Sequence, residues 1–307
     1  MKKELRKIAN TLLLYSYHIE DAGLLNGKMA IILYLYQYGR YANCKYYSEF
    51  ADDLLDKVLD SIKHISPDFE NGITGVGWGI NYLIKNKYVE GDPNDILLDV
   101  DKRIFSQWSC NPITSMLGQG IYLLQRLEDN KSNSDFEKYI NQLLDFCNRG
   151  ISEYKGQTSL YHINSVLFFL IQIDSLENYQ EKAAQTKKLL PAVLKKTFED
   201  KLYDKVDLYI FGRLLSKLTP LQRKKWKDIV SFNSKDGVKD FDIEEIIKLS
   251  YLEGLYIGVN TMKPISLTLV SNFVKQKQMS LEKRDFLFSK GLAGLGNAIF
   301  ATNLSNL

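Results

Sequence analysis

The chain has 307 residues, of which 45% are hydrophobic, enough for a large buried core. Its 40 basic and 37 acidic residues nearly balance, so it carries no electrostatic footprint for a polyanion such as nucleic acid. The three cysteines, Cys44, Cys110 and Cys147, are odd in number and far apart. That argues against a disulfide framework or a clustered cysteine zinc site, and for free thiols in a reducing cytosol.

In chain order, the first segment is MKKELRKIANTLLLYSYHIE. Its apolar block, Leu12 to Tyr15, is short, and Glu4 and Glu20 flank it. It reads as an amphipathic helix over Lys2 to Tyr17, with Leu5, Ile8, Leu12 and Tyr15 on one face, and not as a signal peptide. Ser48 to Ile65 repeats the pattern with Phe50, Leu54, Leu55, Val58, Leu59 and Ile62. Asp135 to Asn148 and Glu181 to Phe198 continue it, with Pro191 expected to kink or divide the latter.

Between these amphipathic helices lie segments that are apolar nearly all round: Ile31 to Tyr38, Ile80 to Ile84, Ile121 to Leu127 and Val166 to Ile173. Such helices belong in an interior. The longest apolar stretch, Val166 to Ile173, is too short to span a bilayer. No segment reads as a strand. Pro67, Pro93, Pro112 and Pro264 fall between helices, and Ser231 to Asp242 is the most loop-like stretch. The basic cluster QRKKWK at Gln222 to Lys227 reads as a solvated helix face.

A glycine phrase opens the apolar helices. It is clearest as ENGITGVGWGINYL at Glu70 to Leu83. Glycine inside a helix costs roughly 1 kcal/mol against alanine, so a cluster of glycines implies tight turning and close backbone approach. The phrase returns as NGKMAIILY from Asn26, SMLGQGIYL from Ser115 and KGLAGLGNAI from Lys290. Degenerate copies are HINSVLFFL from His162, LYIFGRLLS from Leu208 and EGLYIGVNT from Glu253. The first glycine positions are 27, 72, 115, 163, 209, 254 and 291, at intervals of 45, 43, 48, 46, 45 and 37. A period of this length signals a repeat architecture.

Each of the seven repeats holds one outer, half-solvated helix and one inner helix. The last phrase is as apolar as the internal ones and has no polar cap, which an open array would need. The expectation is therefore an all-α fold: one domain over 1–307, closed into an α/α toroid with about seven inner and seven outer helices.

Seven repeats, a G-x-x-G phrase opening each inner helix and an all-helical pattern together resemble the lanthionine synthetase C-like family, over essentially the whole chain. The resemblance implies a double-layered α/α barrel with the inner-helix N-termini around a central cavity. Active members hold zinc there and add a peptide cysteine thiolate to a dehydroamino acid, making a thioether. Zinc lowers the thiol's pKa and keeps the thiolate nucleophilic.

The family's ligands lie in the fifth phrase, W-C-x-G, and the sixth, C-H-G. Aligned on the glycine positions above, the fifth cysteine falls on Asp207, and the sixth cysteine and histidine fall on Leu252 and Glu253. No Cys2His zinc site is expected, and no cofactor. The resemblance also implies a histidine ahead of the fourth phrase, a place taken by His162.

Three cavity candidates follow. His162, Asp207 and Glu253 would suit acid–base work, the carboxylates sitting where inner-helix N-termini favour anions. The plain alternatives are helix capping for the carboxylates and a hydrogen-bonded interior position for His162. The abundant tyrosines, 19 in all, read mainly as core with the hydroxyl reaching a partner.

The leading functional expectation is a cytoplasmic, zinc-free pseudoenzyme that binds a small peptide or assists a peptide-modifying enzyme. One alternative is an enzyme with changed acid–base chemistry on a carbohydrate or peptide. Another is a helical-repeat scaffold for protein interaction.

Overall fold

The computed structural model describes residues 1–62, 65–107, 116–130, 134–153, 157–220, 223–224, 226, 241–258 and 262–303. His64, Cys110, Pro112, Ser115, half of the QRKKWK cluster, nearly all of 231–242 and the last three residues of EGLYIGVNT lie outside the described residues. Among those described there are fourteen α-helices and no strand, so the chain is all-α. None of these helices is long and apolar enough to cross a membrane.

The residues group into two compact units, Met1–Ile104 with Asp242–Leu307, and Phe105–Phe241. The first holds α1 (Lys2–Tyr15), α2 (Lys28–Ala42), α3 (Lys45–Ser61), α4 (Ile73–Lys85), α5 (Pro93–Ile96) and most of α6 (Leu98–Ser106). It also holds α12 (Ile243–Tyr256), α13 (Leu267–Ser280) and α14 (Leu292–Asn303). The second holds a π-turn at Met116–Gly120, α7 (Ile121–Asp129), α8 (Ser134–Glu153), α9 (Leu160–Ile173), α10 (Gln180–Glu199) and α11 (Lys205–Ser216).

The inner class read from hydropathy holds at the level of burial for α2 and α9, whereas α7, read the same way, buries only Ile121, Tyr122, Leu123 and Arg126. Helix α2 is buried at every position from Met29 to Tyr36, and α9 at every position from Ile163 to Leu170. Each fully buried Leu, Ile, Val or Phe side chain is worth about 1.5–3 kcal/mol. Outer helices bury one stripe, as in α1 with Leu5, Ile8 and Leu12. The α3 stripe is narrower than read, because Leu59 is exposed. Pro191 does not divide its helix: α10 runs unbroken through it for 20 residues.

In the first unit, α12 packs on α14, α14 on α2, and α2 on α4. The chain's last helix thus lies beside its first inner helix. The loops that open these helices carry the same bonds in succession. Leu25 and Asn26 N–H groups donate to the Glu70 carbonyl at 2.9 and 3.3 Å. Phe288 and Ser289 N–H groups donate to the Leu25 carbonyl at 3.0 and 3.3 Å.

Side chains continue the ladder. Ser289 Oγ pairs with Asn26 Oδ1 at 3.1 Å, and Asn26 Nδ2 donates to Asn71 Oδ1 at 2.9 Å. The junction of the seventh phrase with the first therefore parallels that of the first with the second, one residue out of register on the donor side. Further links span it: Gln278 donates to Thr11 at 2.7 Å, Lys283 pairs with Asp21 at 2.8 Å, and Tyr15 stacks on Phe286 at 4.9 Å.

The glycines explain the tightness. A Cβ at Gly75 would collide with the Phe69 carbonyl, and one at Gly294 with the Phe288 carbonyl. Phe69 and Phe288 hold the same place, six residues ahead of the glycine, so the two loops fold back on their helices in the same way.

In the second unit, α7, α9 and α11 succeed one another as neighbours, α9 packing on both others. Helices α8 and α10 pack together, α8 against α7 and α10 against α9. This is the same inner–outer alternation.

Candidate functional site

The inner helices open on a common frame. The residue before the helix is the N-cap, and the third residue inside it, N3, can return a side chain to the N-cap backbone. In α2 and α4 the N-caps are Gly27 and Gly72, and N3 is Ala30 and Gly75. For α14 the Leu295 N–H donates to the Gly291 carbonyl at 3.0 Å, which puts Gly294 at N3.

The fourth, fifth and sixth openings carry polar pairs in those same places. They are Ser159 and His162 on α9, Asp204 and Asp207 on α11, and Asp242 and Glu245 on α12.

His162 stands in the first turn of α9. Its Nδ1 lies 3.0 Å from Ser159 Oγ, and its ring meets Tyr161 edge to face at 5.3 Å. Its carbonyl accepts from Ser165 Oγ at 2.7 Å. It is half-buried, a hydrogen-bonded histidine rather than a solvated one.

Asp207 is 4% exposed. Its N–H donates to Asp204 Oδ1 at 2.9 Å, and its Oδ2 accepts from the Asp204 N–H at 3.2 Å. This is a reciprocal capping box, so Asp207 does the capping work that a carboxylate at this place performs in any helix. The chain also ties it to α9: Asn164 Nδ2 donates to the Asp207 carbonyl at 2.9 Å. Asn164 is 1% exposed, and among the described residues its Oδ1 has no hydrogen-bond partner. His162 and Asp207 thus occupy the same frame position on two helices that pack together.

Glu253 is placed differently from the expectation. It is fully buried, but it lies in the last turn of α12, not at a helix N-terminus. Its carbonyl accepts from the Ile257 and Gly258 N–H groups at 2.8 and 3.1 Å. Gly258 has φ +76°, the left-handed geometry of a helix C-terminus. EGLYIG therefore closes a helix rather than opening one. The opening of that repeat is the Asp242–Glu245 capping box, with bonds of 2.9 and 2.8 Å.

Corrected in this way, the opening N-caps of α2, α4, α9, α11, α12 and α14 stand at 27, 72, 159, 204, 242 and 291. Sequence reasoning missed Asp204, Asp242 and Glu245, although D-x-x-D and D-x-x-E ahead of apolar runs are capping signatures.

Among the described residues, no three His, Cys, Asp or Glu side chains come together as a metal-holding group. Cys44 is the half-buried N-cap of α3, and Cys147 is buried in α8, where burial pushes its thiol up to about 12. A thiol so shifted is inert at neutral pH. Tyr34, Tyr36 and Tyr38 are buried on α2, and Tyr34 Oη donates to the Leu5 carbonyl at 2.7 Å. That is the core role expected of the tyrosines.

The second unit also holds a cleft of about 540 Å3 between α7, α8, α9 and the turn at Ser175 to Tyr179. It lies toward the C-terminal ends of α7 and α9, and His162, Asp207 and Glu253 do not line it. Comparison with protein-family models, curated proteins and solved structures gives no match.

Proposed function

We propose that the chain closes into an α/α toroid resembling the lanthionine synthetase C-like proteins, and that it is a zinc-free peptide-binding partner in peptide modification rather than a cyclase. The observation that carries this reading is the ladder from Ser289 through Asn26 to Asn71. It treats the seventh and first repeats as neighbours of the same kind as the first and second, which favours a ring over an open array.

The corrected frame favours loss of zinc. Counted back from the Asp204 and Asp242 N-caps, the places that the resemblance gives to zinc ligands fall on Leu202, Asp240 and Phe241. None of these is a cysteine or histidine, and no alignment of the fifth or sixth opening brings one in.

A second reading, acid–base chemistry on a carbohydrate or peptide, is favoured by one observation: His162 and Asp207 share the N3 place on packed helices, joined through Asn164. On this reading Glu253 plays no part, because its turn is at the other end of its helix.

The test uses untagged, full-length protein. Zinc is measured per chain, and the protein is titrated into a labelled peptide that carries one cysteine and one dehydroalanine. The expected result is saturable binding with the peptide thiol preserved and no stoichiometric zinc. One zinc per chain with thiol consumption overturns the binding-partner reading in favour of the cyclase. No binding of the peptide removes it altogether.

A further inference from the structure

We infer that the cleft between α7, α8 and α9 is a binding site for a small uncharged molecule, an apolar body whose head presents a hydrogen-bonding carbonyl. The lining follows from helical spacing. Leu124 and Leu127 lie three apart on α7, and Phe168 and Gln172 four apart on α9, so each helix turns a pair of same-face neighbours to the space. Ile140 and Phe168 are 1% and 9% exposed, Leu124 and Leu127 are half-buried, and Leu176 is 38% exposed. The fold thus leaves apolar surface here that an apolar ligand would cover, and covering it favours binding. A volume of about 540 Å3 lies within the roughly 300–1,000 Å3 of small-molecule sites.

Tyr179 defines the head. Its side chain lines the cleft and is 5% exposed, yet its hydroxyl has no hydrogen-bond partner among the described residues. Buried polar groups are ordinarily hydrogen-bonded, and one left unmet costs free energy that a ligand can recover. Burial raises this hydroxyl above its ordinary pKa, and the Glu137 charge raises it further, so it keeps its proton and stands as a donor. Gln172 is half-buried, and its side-chain amide also has no hydrogen-bond partner among the described residues. It adds two N–H donors and an acceptor oxygen to the same space. A carbonyl carrying its own N–H would meet both groups.

The buried part of the lining carries no charge. Its described ionised residues, Glu128 and Glu137, are exposed, and the polar groups beside Phe168 and Ile140 are the neutral ones of Tyr179 and Gln172. A charged head drawn in against these side chains would lose its water without a buried counter-charge among the described lining residues. An uncharged head avoids that cost and is indifferent to the sign of the groups around the mouth.

The site is separate from the helix openings, so it stands or falls independently of the peptide-binding reading. The probes are a matched set, 4-phenylbutanamide, 4-phenylbutyrate and 4-phenylbutylammonium, titrated calorimetrically into the intact protein at neutral pH. The expected result is saturable binding of the amide, unaffected by salt, with both charged analogues at least about tenfold weaker. Tyr179→Phe removes only the hydroxyl. It should weaken the amide about fivefold and leave Tm unchanged, because that hydroxyl bonds no described residue of the protein. Ser175→Trp, at an exposed lining position, blocks the amide by filling the cleft. The inference is overturned if the amide does not bind saturably, if either charged analogue binds as tightly, or if Tyr179→Phe binds the amide as the parent does or melts at a lower temperature.

Discussion

The glycine-headed openings of α2, α4 and α14 and the carboxylate-headed openings of α11 and α12 solve one problem in two ways. Every helix leaves its first N–H groups without intrahelical partners. At Gly72 and Gly291 the loop ahead of the helix folds back so closely that backbone meets backbone, and any Cβ at Gly75 or Gly294 would strike a carbonyl of that loop. At Asp204 and Asp242 the side chain itself serves as the acceptor, and the N3 carboxylate returns the bond. The first solution presses each helix onto the loop that leads into it. The second satisfies each helix locally and leaves its first turn with acidic side chains.

The sharpest way to break the contrast is at the glycines. Gly294→Val should cost about 3 kcal/mol or more, because the struck atom is backbone and cannot swing aside. Thermal unfolding should show a large fall in Tm or no folded protein. The same size of change at Gly254, where a Cβ would meet nothing within 4 Å, should be tolerated. Comparable losses at both sites would show that the two glycine classes are not distinct.

The capping solution predicts a smaller loss. Asp207→Ala should cost about 0.5–2 kcal/mol by urea unfolding, and Asp207→Asn less, since the amide oxygen still accepts. If both variants lose equally, the carboxylate charge rather than the capping bond is what matters. Tyr34→Phe, which removes the bond to Leu5 between α2 and α1, should cost about 1 kcal/mol.

The seam offers a pH test. Burial alone would raise the Asp285 carboxyl, but Ser280, the Glu282 N–H and Lys277 at 3.0 Å outweigh it and hold the pKa below the ordinary value. A carboxyl lowered in the folded state contributes stability above its unfolded pKa of about 3.9, and that contribution is lost as pH falls through the folded value. Asp285→Asn should therefore flatten the stability–pH curve on the acid side and leave its shape near neutrality unchanged. An unaltered acid limb would refute the assignment. The smallest effect expected is a gain: Gly254→Ala, in the exposed last turn of α12, should add about 0.5–1 kcal/mol.

The inner helices α2, α4, α9 and α14 were readable because a helix with no polar face has only one place to go. The openings at Gly27, Gly72 and Gly291 were readable because the glycines mark them directly. The openings of α11 and α12 were not found by the same search, since Asp204 and Asp242 do in carboxylate chemistry what glycine does by being small. A search for glycine then settled on Gly254 and Gly258, which carry the opposite meaning at a helix C-terminus. Glu253 entered the candidate site through that inversion. His162 and Asp207 still fall in the first turns of α9 and α11, but inside the helix at N3 rather than ahead of the phrase, because their repeats were misread by a few residues. The cleft was invisible to the sequence, because Glu128, Glu137 and Phe168 come from three helices whose packing no linear motif records.

The bonds that join the last phrase to the first have a consequence for synthesis. Ser289 and Asn26 are 263 residues apart, whereas Asn26 and Asn71 are separated by 45. Loop-closure entropy grows only with the logarithm of length, so the longer loop costs about 1.6 kcal/mol more. Time is the greater burden. A ribosome must reach Ser289, 263 residues beyond Asn26, before α2 can receive α14, and until then one apolar flank of α2 has no cover from it. A chain built this way depends on α14 to shield α2, so a nascent product that stops short of α14 should be a target for chaperones and proteases rather than a partly working protein.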